Sequence, residues 1–220
     1  MTWNDIGRRI AVTAASAAVL ALALALAAGA APEATKNLIV NGNAELGEGV
    51  DDVNGVAADI PGWTRRGSFT VVKYSAPGGF PDAAVQARVK GGNNFFAGGP
   101  ANPGSAVSQD VDVSAQSRLI DRGKLKATLS GYIGGYASQN DSLIVTATFR
   151  SRGGAKLGSS IRIGPVTALA RQSSTSMLLE KVTVPVPKKT RSIRIVLAAN
   201  RNDGSYNDGY ADNLSLRLGG

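Results

Sequence analysis

Residues 37–45 read Asn-Leu-Ile-Val-Asn-Gly-Asn-Ala-Glu, and residues 208–218 read Asp-Gly-Tyr-Ala-Asp-Asn-Leu-Ser-Leu-Arg-Leu. Each stretch places apolar residues two apart, which is typical of a strand with one buried face. We predict that the first strand, 37–40, lies beside the last strand, 211–218, because this arrangement would cover two sheet edges. The pairing would bring Glu45 close to Asp212, where two carboxylates could share a hard cation.

The sequence between these two stretches also favours β-structure. Further strands are predicted over 68–74, 84–89, 94–97, 106–113, 124–133, 142–150, 157–164, 178–184 and 192–199. Turn sequences rich in Gly, Pro and Asn separate them, and no helix is predicted beyond a single turn over 166–171. This pattern predicts an all-β antiparallel sandwich as a single domain over 37–220, with a short flexible lead over 31–36.

Residues 1–30 are predicted to be a signal peptide. Arg8-Arg9 precedes an apolar run over 11–28, and Ala28-Gly29-Ala30 matches the small-x-small pattern of a cleavage site. The alternative is a membrane anchor, because the run is about long enough to span a bilayer. The arginine pair leaves both the general secretory route and twin-arginine export open. We expect a secreted, extracellular or cell-surface protein that is free of the membrane once the peptide is cleaved.

The composition excludes several kinds of chemistry. The chain contains no histidine and no cysteine. It therefore lacks the commonest general base, the Ser-His-Asp triad and the usual ligands of zinc. Any bound metal should be hard and held by oxygen atoms, which favours calcium. Since nucleotide-binding and nucleophile-elbow motifs are also missing from the sequence, we do not expect an enzyme.

The charge of the chain is strongly positive. Its 24 Lys and Arg residues outnumber 16 Asp and Glu residues, which gives a formal net charge of +8. Such a protein could bind anionic wall polymers, acidic polysaccharide or nucleic acid, or simply present a solvated basic surface. Because the basic residues are spread along the chain without interleaved aromatic residues, nucleic acid is not an expected partner.

The two end stretches, together with Pro61-Gly62-Trp63, resemble the galactose-binding-like jelly rolls. This family includes many calcium-bearing carbohydrate-binding modules of secreted bacterial proteins, and residues 91–111 resemble its central strand pair. The resemblance implies a jelly roll with a structural calcium ion held by Glu45 and Asp212, with Asn43 as a carbonyl ligand. The sequence departs from the family at Ala44, where a larger apolar residue is usual. The alternative is that the two carboxylates make only local hydrogen bonds.

Sugar binding uses aromatic faces together with planar polar side chains. Tyr132 and Tyr136 flank two glycines, and Tyr206 and Tyr210 flank what reads as a polar loop. The predicted ligand-binding residues are Tyr132, Tyr136, Tyr206, Tyr210, Asp208, Asn94 and Arg171. The alternative for each tyrosine is a packing role within its loop. Core positions are predicted for Trp63, Phe69, Phe149 and one of Phe95 and Phe96.

These observations predict a secreted, non-catalytic carbohydrate-binding module with one structural calcium ion, whose partner is a carbohydrate or a cell-surface glycan. The alternative is a structural or adhesion protein of the cell surface. Such a protein would use the same sandwich to bind another protein or an anionic wall polymer. The feature that distinguishes the two functions is whether the tyrosine side chains and the Asn or Asp side chains converge in one groove, as a sugar site requires.

Overall fold

The structure is a computed structural model that describes residues 31–220, so the predicted signal peptide lies outside the described residues. The domain Glu33–Gly220 contains ten strands and two short helices. The strands are β1 (Thr64–Arg66), β2 (Thr70–Lys73), β3 (Asn94–Pro100), β4 (Gly104–Asp112), β5 (Lys126–Gly135), β6 (Ser142–Arg150), β7 (Ile161–Ile163), β8 (Ser176–Pro185), β9 (Ser192–Asn200) and β10 (Tyr206–Gly219). The helices are α1 (Ala83–Val89) and α2 (Ser117–Asp121), the latter preceded by a 3-10 turn at Ser114–Gln116. None of the helices in the described part is both long and apolar enough to cross a membrane.

The strands form two antiparallel sheets of five strands each. The first sheet has the order β1-β4-β9-β6-β7, and the second has the order β2-β3-β10-β5-β8. The two sheets pack face to face, because alternate residues of their strands are apolar and point into the space between them. In β6, for example, Leu143, Val145, Ala147 and Phe149 are buried while the residues between them are partly exposed. The predicted all-β sandwich of the jelly-roll type is therefore confirmed.

A second apolar cluster covers much of the outer face of the second sheet. We call it the outer cluster; it consists of Val72, Tyr74, Phe80, Val85, Val89, Phe95, Ala97, Met177 and Tyr210. Phe95 belongs to this cluster, whereas its neighbour Phe96 belongs to the core between the sheets with Trp63 and Phe69. Both phenylalanines are thus buried, on opposite faces of β3, since successive side chains of a strand point to opposite sides.

The prediction of a strand over 84–89 was wrong, because this segment forms α1. Asp82 caps the helix by accepting a hydrogen bond from the Val85 backbone N–H at 2.9 Å. Val85 and Val89 lie four residues apart and are buried on one helix face against the outer cluster. Apolar residues at 85, 87 and 89 also satisfy the period of a strand, which is why the pattern alone misled.

The segment 37–40 lies beside β10 as expected, but it is not a regular strand. The backbone of residues 35–42 bonds to β10 at three points: Thr35 N to Leu218 O, Leu38 N to Leu216 O and Leu214 N to Gly42 O, at 2.7–2.8 Å. Between them the Asn37 side chain enters the ladder, accepting from Leu216 N and donating to Leu214 O. An amide side chain thus replaces backbone partners that a strand would supply.

The other boundaries differ more modestly from the sequence prediction. The strand β1 and the helix α2 were not predicted, and β7 is shorter than the predicted 157–164. Strand β10 begins at Tyr206, so residues 206–210 belong to a strand rather than to a polar loop. This extension becomes possible because β3 pairs with the first half of β10.

Candidate functional site

Glu45 and Asp212 converge on the two-glycine turn Gly91–Gly92, which joins α1 to β3. A Cβ atom built on Gly91 would lie 2.7 Å from Asp212 Oδ2, and one built on Gly92 would lie 2.6 Å from both carboxylate oxygens of Glu45. Real Cβ atoms do not approach other heavy atoms so closely. The turn therefore lets two carboxylates from distant parts of the chain reach the same segment because it lacks side chains.

Asp212 is fully buried on the outer face of the second sheet. Its Oδ2 accepts a hydrogen bond from the Tyr74 hydroxyl at 2.7 Å, and its Oδ1 accepts from the Asn213 backbone N–H at 2.6 Å. The pKa of Asp212 is raised to about 7: burial is the largest cause, the two hydrogen bonds oppose the rise, and the charge of the nearby Glu45 adds to it. No described Lys or Arg forms an ion pair with it. The site therefore favours a bound cation or a proton.

Glu45 holds the beginning of β3. Its Oε1 accepts from the Asn94 backbone N–H at 2.8 Å, and its Oε2 accepts from that of Asn93 at 3.0 Å. These bonds join segments that are 49 and 48 residues apart, so the alternative of purely local hydrogen bonds does not hold for Glu45. Each carboxylate oxygen can accept more than one bond, so both carboxylates keep some capacity for a cation.

The other residues near this pair supply further oxygen atoms. Asn43 is exposed and lines a shallow groove with Gly42 and Asn213, next to Asp212 in sequence. Asn94 is buried; its Nδ2 donates to Ala44 O at 3.2 Å, and its Oδ1 has no partner among the described residues. The donor set is made of oxygen only, which suits calcium. Because no three acidic side chains cluster within residues 31–220, carbonyl groups or water would have to complete such a site.

A second pair of buried carboxylates, Asp141 and Asp208, lies near the beginning of β10. Asp141 accepts from the backbone N–H groups of Asn202, Asp203 and Asp208 at 2.6–2.8 Å. Asp208 accepts from the Tyr210 hydroxyl. Burial raises the pKa of Asp208 to about 6; the Tyr210 hydrogen bond opposes the rise, and the charge of Asp141 adds to it. The bonds of Asp141 hold the connection between β9 and β10, and the start of β10, against the beginning of β6.

Arg171 is buried and bonds only to backbone carbonyl groups. Its Nη1 donates to Gly135 O, Ala137 O and Ser174 O at 2.6–2.9 Å, and its Nη2 donates to Gln139 O at 2.8 Å. Burial lowers its pKa, while Tyr210 and Asp208 act in the opposite direction. The guanidinium thus fixes two loops and does not face solvent, so Arg171 is not positioned to contact a ligand.

Three of the four predicted tyrosines lie around Phe80, beneath the loop before α1. Tyr210 is fully buried in the outer cluster, and Tyr206 packs edge-on against Phe80 with ring centroids 5.3 Å apart. Tyr136 is half-buried and contacts Gly79, where a Cβ atom would lie 2.6 Å from its ring. The predicted groove of tyrosines is therefore filled by the chain itself, because Phe80 and α1 cover this part of the sheet.

Tyr132 is the exception, because it lies at the boundary between the outer cluster, against which it packs, and an uncovered part of the second sheet. Its register partners are Leu179 on β8 and Asp212 on β10, and the Leu179 side chain is 59 % exposed. Helix α1 meets β8 only near its start, where Arg88 donates to Ser176 Oγ at 2.8 Å. We call this area the open face; its outward side chains are Lys126, Thr128, Ser130, Tyr132, Leu179, Lys181, Thr183, Ser215 and Arg217.

A polar cleft of about 520 Å³ lies at the Glu45 end of the domain. Lys73, Gln86 and Asn93 contribute to its lining, and Lys73 Nζ lies 3.8 Å from Asp51 Oδ2. Tyr74 is its aromatic residue, but it is only 6 % exposed and its hydroxyl is bound to Asp212. This cleft therefore lacks an accessible aromatic face, whereas the open face has the partly accessible ring of Tyr132.

Sequence reasoning missed Tyr74, Leu179 and Lys181. The last two had a detectable signal, since Leu179, Lys181 and Thr183 alternate with the half-buried Leu178, Val182 and Val184 in β8. Tyr74 had none, because its contact with Asp212 joins residues 138 positions apart.

No family model matches this sequence, and no curated protein matches it. Among solved structures, the chain is similar to the enzymatically active domain of bacteriophage CBA120 tailspike protein 4. The TM-score is 0.50 at 12% identity, over 82% of this chain and 21% of that chain. It is also similar to Family 16 Carbohydrate Binding Module-2, with a TM-score of 0.48 at 19% identity over 82% of this chain and 99% of that chain.

A third similar structure is TmCBM61 in complex with β-1,4-galactotriose, with a TM-score of 0.47 at 16% identity over 83% of this chain and 98% of that chain. Carbohydrate-binding modules are thus among the structures to which this chain is similar. The chain spans about a fifth of the tailspike domain's length. At 12% identity, the likeness to the tailspike domain concerns the fold and does not extend to its activity.

Proposed function

We propose that this domain is a secreted, non-catalytic carbohydrate-binding module that binds sugar on its open face. The observation that carries the proposal is the placement of Tyr132. Its ring is partly buried against the outer cluster and stands beside Leu179, in line with the hydroxyl groups of Ser130 and of the Thr128–Thr183 pair. An aromatic face can cover the apolar side of a sugar ring while hydroxyl and amine groups bond to the sugar hydroxyls.

The rigidity of the open face supports this proposal. β5 and β8 pair continuously over ten residues, from Lys126–Pro185 to Gly135–Ser176. Side chains on a paired strand are held in fixed positions, so a ligand meets a preorganised surface and loses less affinity to ordering. Secretion is part of the proposal and is supported by the pattern of residues 1–30.

We further propose that Glu45 and Asp212 hold a structural calcium ion, with a backbone carbonyl near Asn43 as an additional ligand. The support is the all-oxygen environment and the buried charge of Asp212, which has no cationic side chain to balance it. When bound, the ion would supply only positive charge at the junction of 37–45, the Gly91–Gly92 turn and β10. Its role would be to stabilise the fold.

A glycan array with two variants of Tyr132 tests the sugar site. Tyr132→Phe keeps the ring and should bind within about twofold of the wild type, whereas Tyr132→Ala should lose about three- to tenfold in affinity. Leu169→Ala is the matched control, because Leu169 is 87 % exposed and lies in the turn that precedes β8, outside the open face. Its affinity should equal that of the wild type.

An empty array would contradict the sugar proposal. If the protein then captured a protein partner through the same face, with loss on Tyr132→Ala, the adhesion alternative would replace it. Equal binding by Tyr132→Ala and the wild type would place the sugar elsewhere and refute the role of the open face.

A further inference from the structure

We propose that the open face selects an anionic sugar, one that carries carboxylate or sulfate groups. This inference rests on the proposed function and names its ligand class. Three cations, Lys126, Lys181 and Arg217, project outward from this face, and all three are exposed. None forms an ion pair with a described carboxylate.

The open face offers positive charge without negative charge. The acidic residue of β8, Glu180, lies between Leu179 and Lys181 in sequence. Because successive side chains of a strand alternate, it points to the other face of the sheet. The carboxylate of Asp212 is fully buried. The available groups are therefore hydroxyls and hydrogen-bond donors, and a ligand rich in acceptor oxygens complements them.

Ion pairs do form elsewhere in the domain. Arg194, at the centre of the outer face of the first sheet, lies 3.1 Å from Asp110. Arg191 lies 2.7 Å from Asp121 in a bidentate contact. The ammonium group of a lysine is hydrated and lacks the fixed planar arrangement of donors in a guanidinium group. Lys126 and Lys181 can therefore attract anions in more than one binding geometry.

The spacing of the three cations suits an extended ligand. Arg217 lies opposite Thr128, two residues from Lys126, and Lys181 lies opposite Ser130. With strands about 4.8 Å apart and two residues spanning about 6.8 Å, the cations' Cα atoms are about 8 to 14 Å apart. Tyr132 lies at one end of the same rows. A chain of several sugar units can therefore contact the ring and more than one cation together.

Calorimetric titration with matched ligands tests the inference. The probes are an oligogalacturonate, its fully methyl-esterified form, and a sulfated galactan with its desulfated form. The wild-type protein should bind an anionic member of one pair about tenfold more tightly than its neutral counterpart, and added salt should reduce this preference. Preference for the carboxylate or for the sulfate distinguishes the two sources of the anion.

Two variants show whether the open face causes the preference. Lys181→Gln should lower affinity for the anionic ligand about two- to fivefold and leave the neutral ligand unchanged. Arg162→Gln is the control, because Arg162 is exposed on β7 in the first sheet and pairs opposite Thr146. It should bind both ligands as the wild type does.

Equal affinity for the anionic and neutral members of both pairs would overturn the inference while leaving a carbohydrate-binding function in place. An equal loss in Lys181→Gln and Arg162→Gln would also overturn it, because the preference would then come from the net charge. Failure of every probe together with an empty glycan array would instead refute the proposed function.

Discussion

Replacing Asp208 by Asn should make the domain more stable at pH 8 than the wild type, and the gain should vanish in acid. Asp208 is 8 % exposed, and burial raises its pKa from 3.8 to about 6. The hydrogen bond from Tyr210 and the charge of Arg171 lower the pKa, and the charge of Asp141 raises it. The asparagine keeps an oxygen that can accept from the Tyr210 hydroxyl but removes the charge.

The sign of this effect follows from proton linkage. The folded state binds the Asp208 proton more tightly than the unfolded state, so the contribution to stability is fully present below pH 3.8 and is lost as the pH rises through about 6. A shift from 3.8 to about 6 corresponds to at most about 3 kcal/mol in the free energy of unfolding. Asp208→Asn should therefore exceed the wild type by up to that amount above pH 7.

Urea unfolding between pH 4 and pH 8, with chelator present, measures this difference. The chelator keeps the Glu45–Asp212 site free of metal in both proteins. The titration of that site then affects both proteins equally and cancels in the difference between their free energies of unfolding. Asp203→Asn is the control, because Asp203 is exposed and bonds to the Asn140 backbone in the same region. Its profile should run parallel to that of the wild type. A constant difference between Asp208→Asn and the wild type across this range would refute the reasoning.

Three further outcomes are expected. Chelator should lower the Tm of the wild type by about 5 to 10 °C, since calcium at a hundred times its Kd adds about 2.7 kcal/mol to the free energy of unfolding. Glu45→Ala should abolish this sensitivity to chelator. Equal Tm values of the wild type with and without chelator would argue against the ion. Gly92→Ala should displace the Glu45 carboxylate and reduce the chelator effect, whereas Gly153→Ala, where the nearest atom is 4.0 Å away, should leave it unchanged. Arg171→Met should lower the free energy of unfolding in urea by at least about 3 kcal/mol, because four backbone carbonyl groups lose their hydrogen-bond donor. Arg171→Lys should restore part of this stability. A loss below about 1 kcal/mol in Arg171→Met would show that water replaces the guanidinium.

Local patterns in the sequence were sufficient to predict most of the sandwich. The strands β5, β6, β8 and β9 were predicted closely because their alternation of apolar and polar residues reflects one buried and one wet face. The pattern failed at 84–89, where alternate and i, i+4 spacing coincide. At this segment, the Asp82 cap and the packing of Val85 and Val89 against the outer cluster stabilise a helix. It also failed at 37–40, where the Asn37 side chain takes over part of the ladder.

The sequence by itself determined an all-β domain with two acidic residues at the ends of adjoining segments, because periodicity and motifs are local properties. Only the tertiary structure decided which tyrosines face solvent. Tyr210 and Tyr132 both lie on the outer face of the second sheet, yet Phe80 and α1 bury the first and leave the second only partly buried. Such covering depends on contacts between residues more than a hundred positions apart, and no local pattern records them.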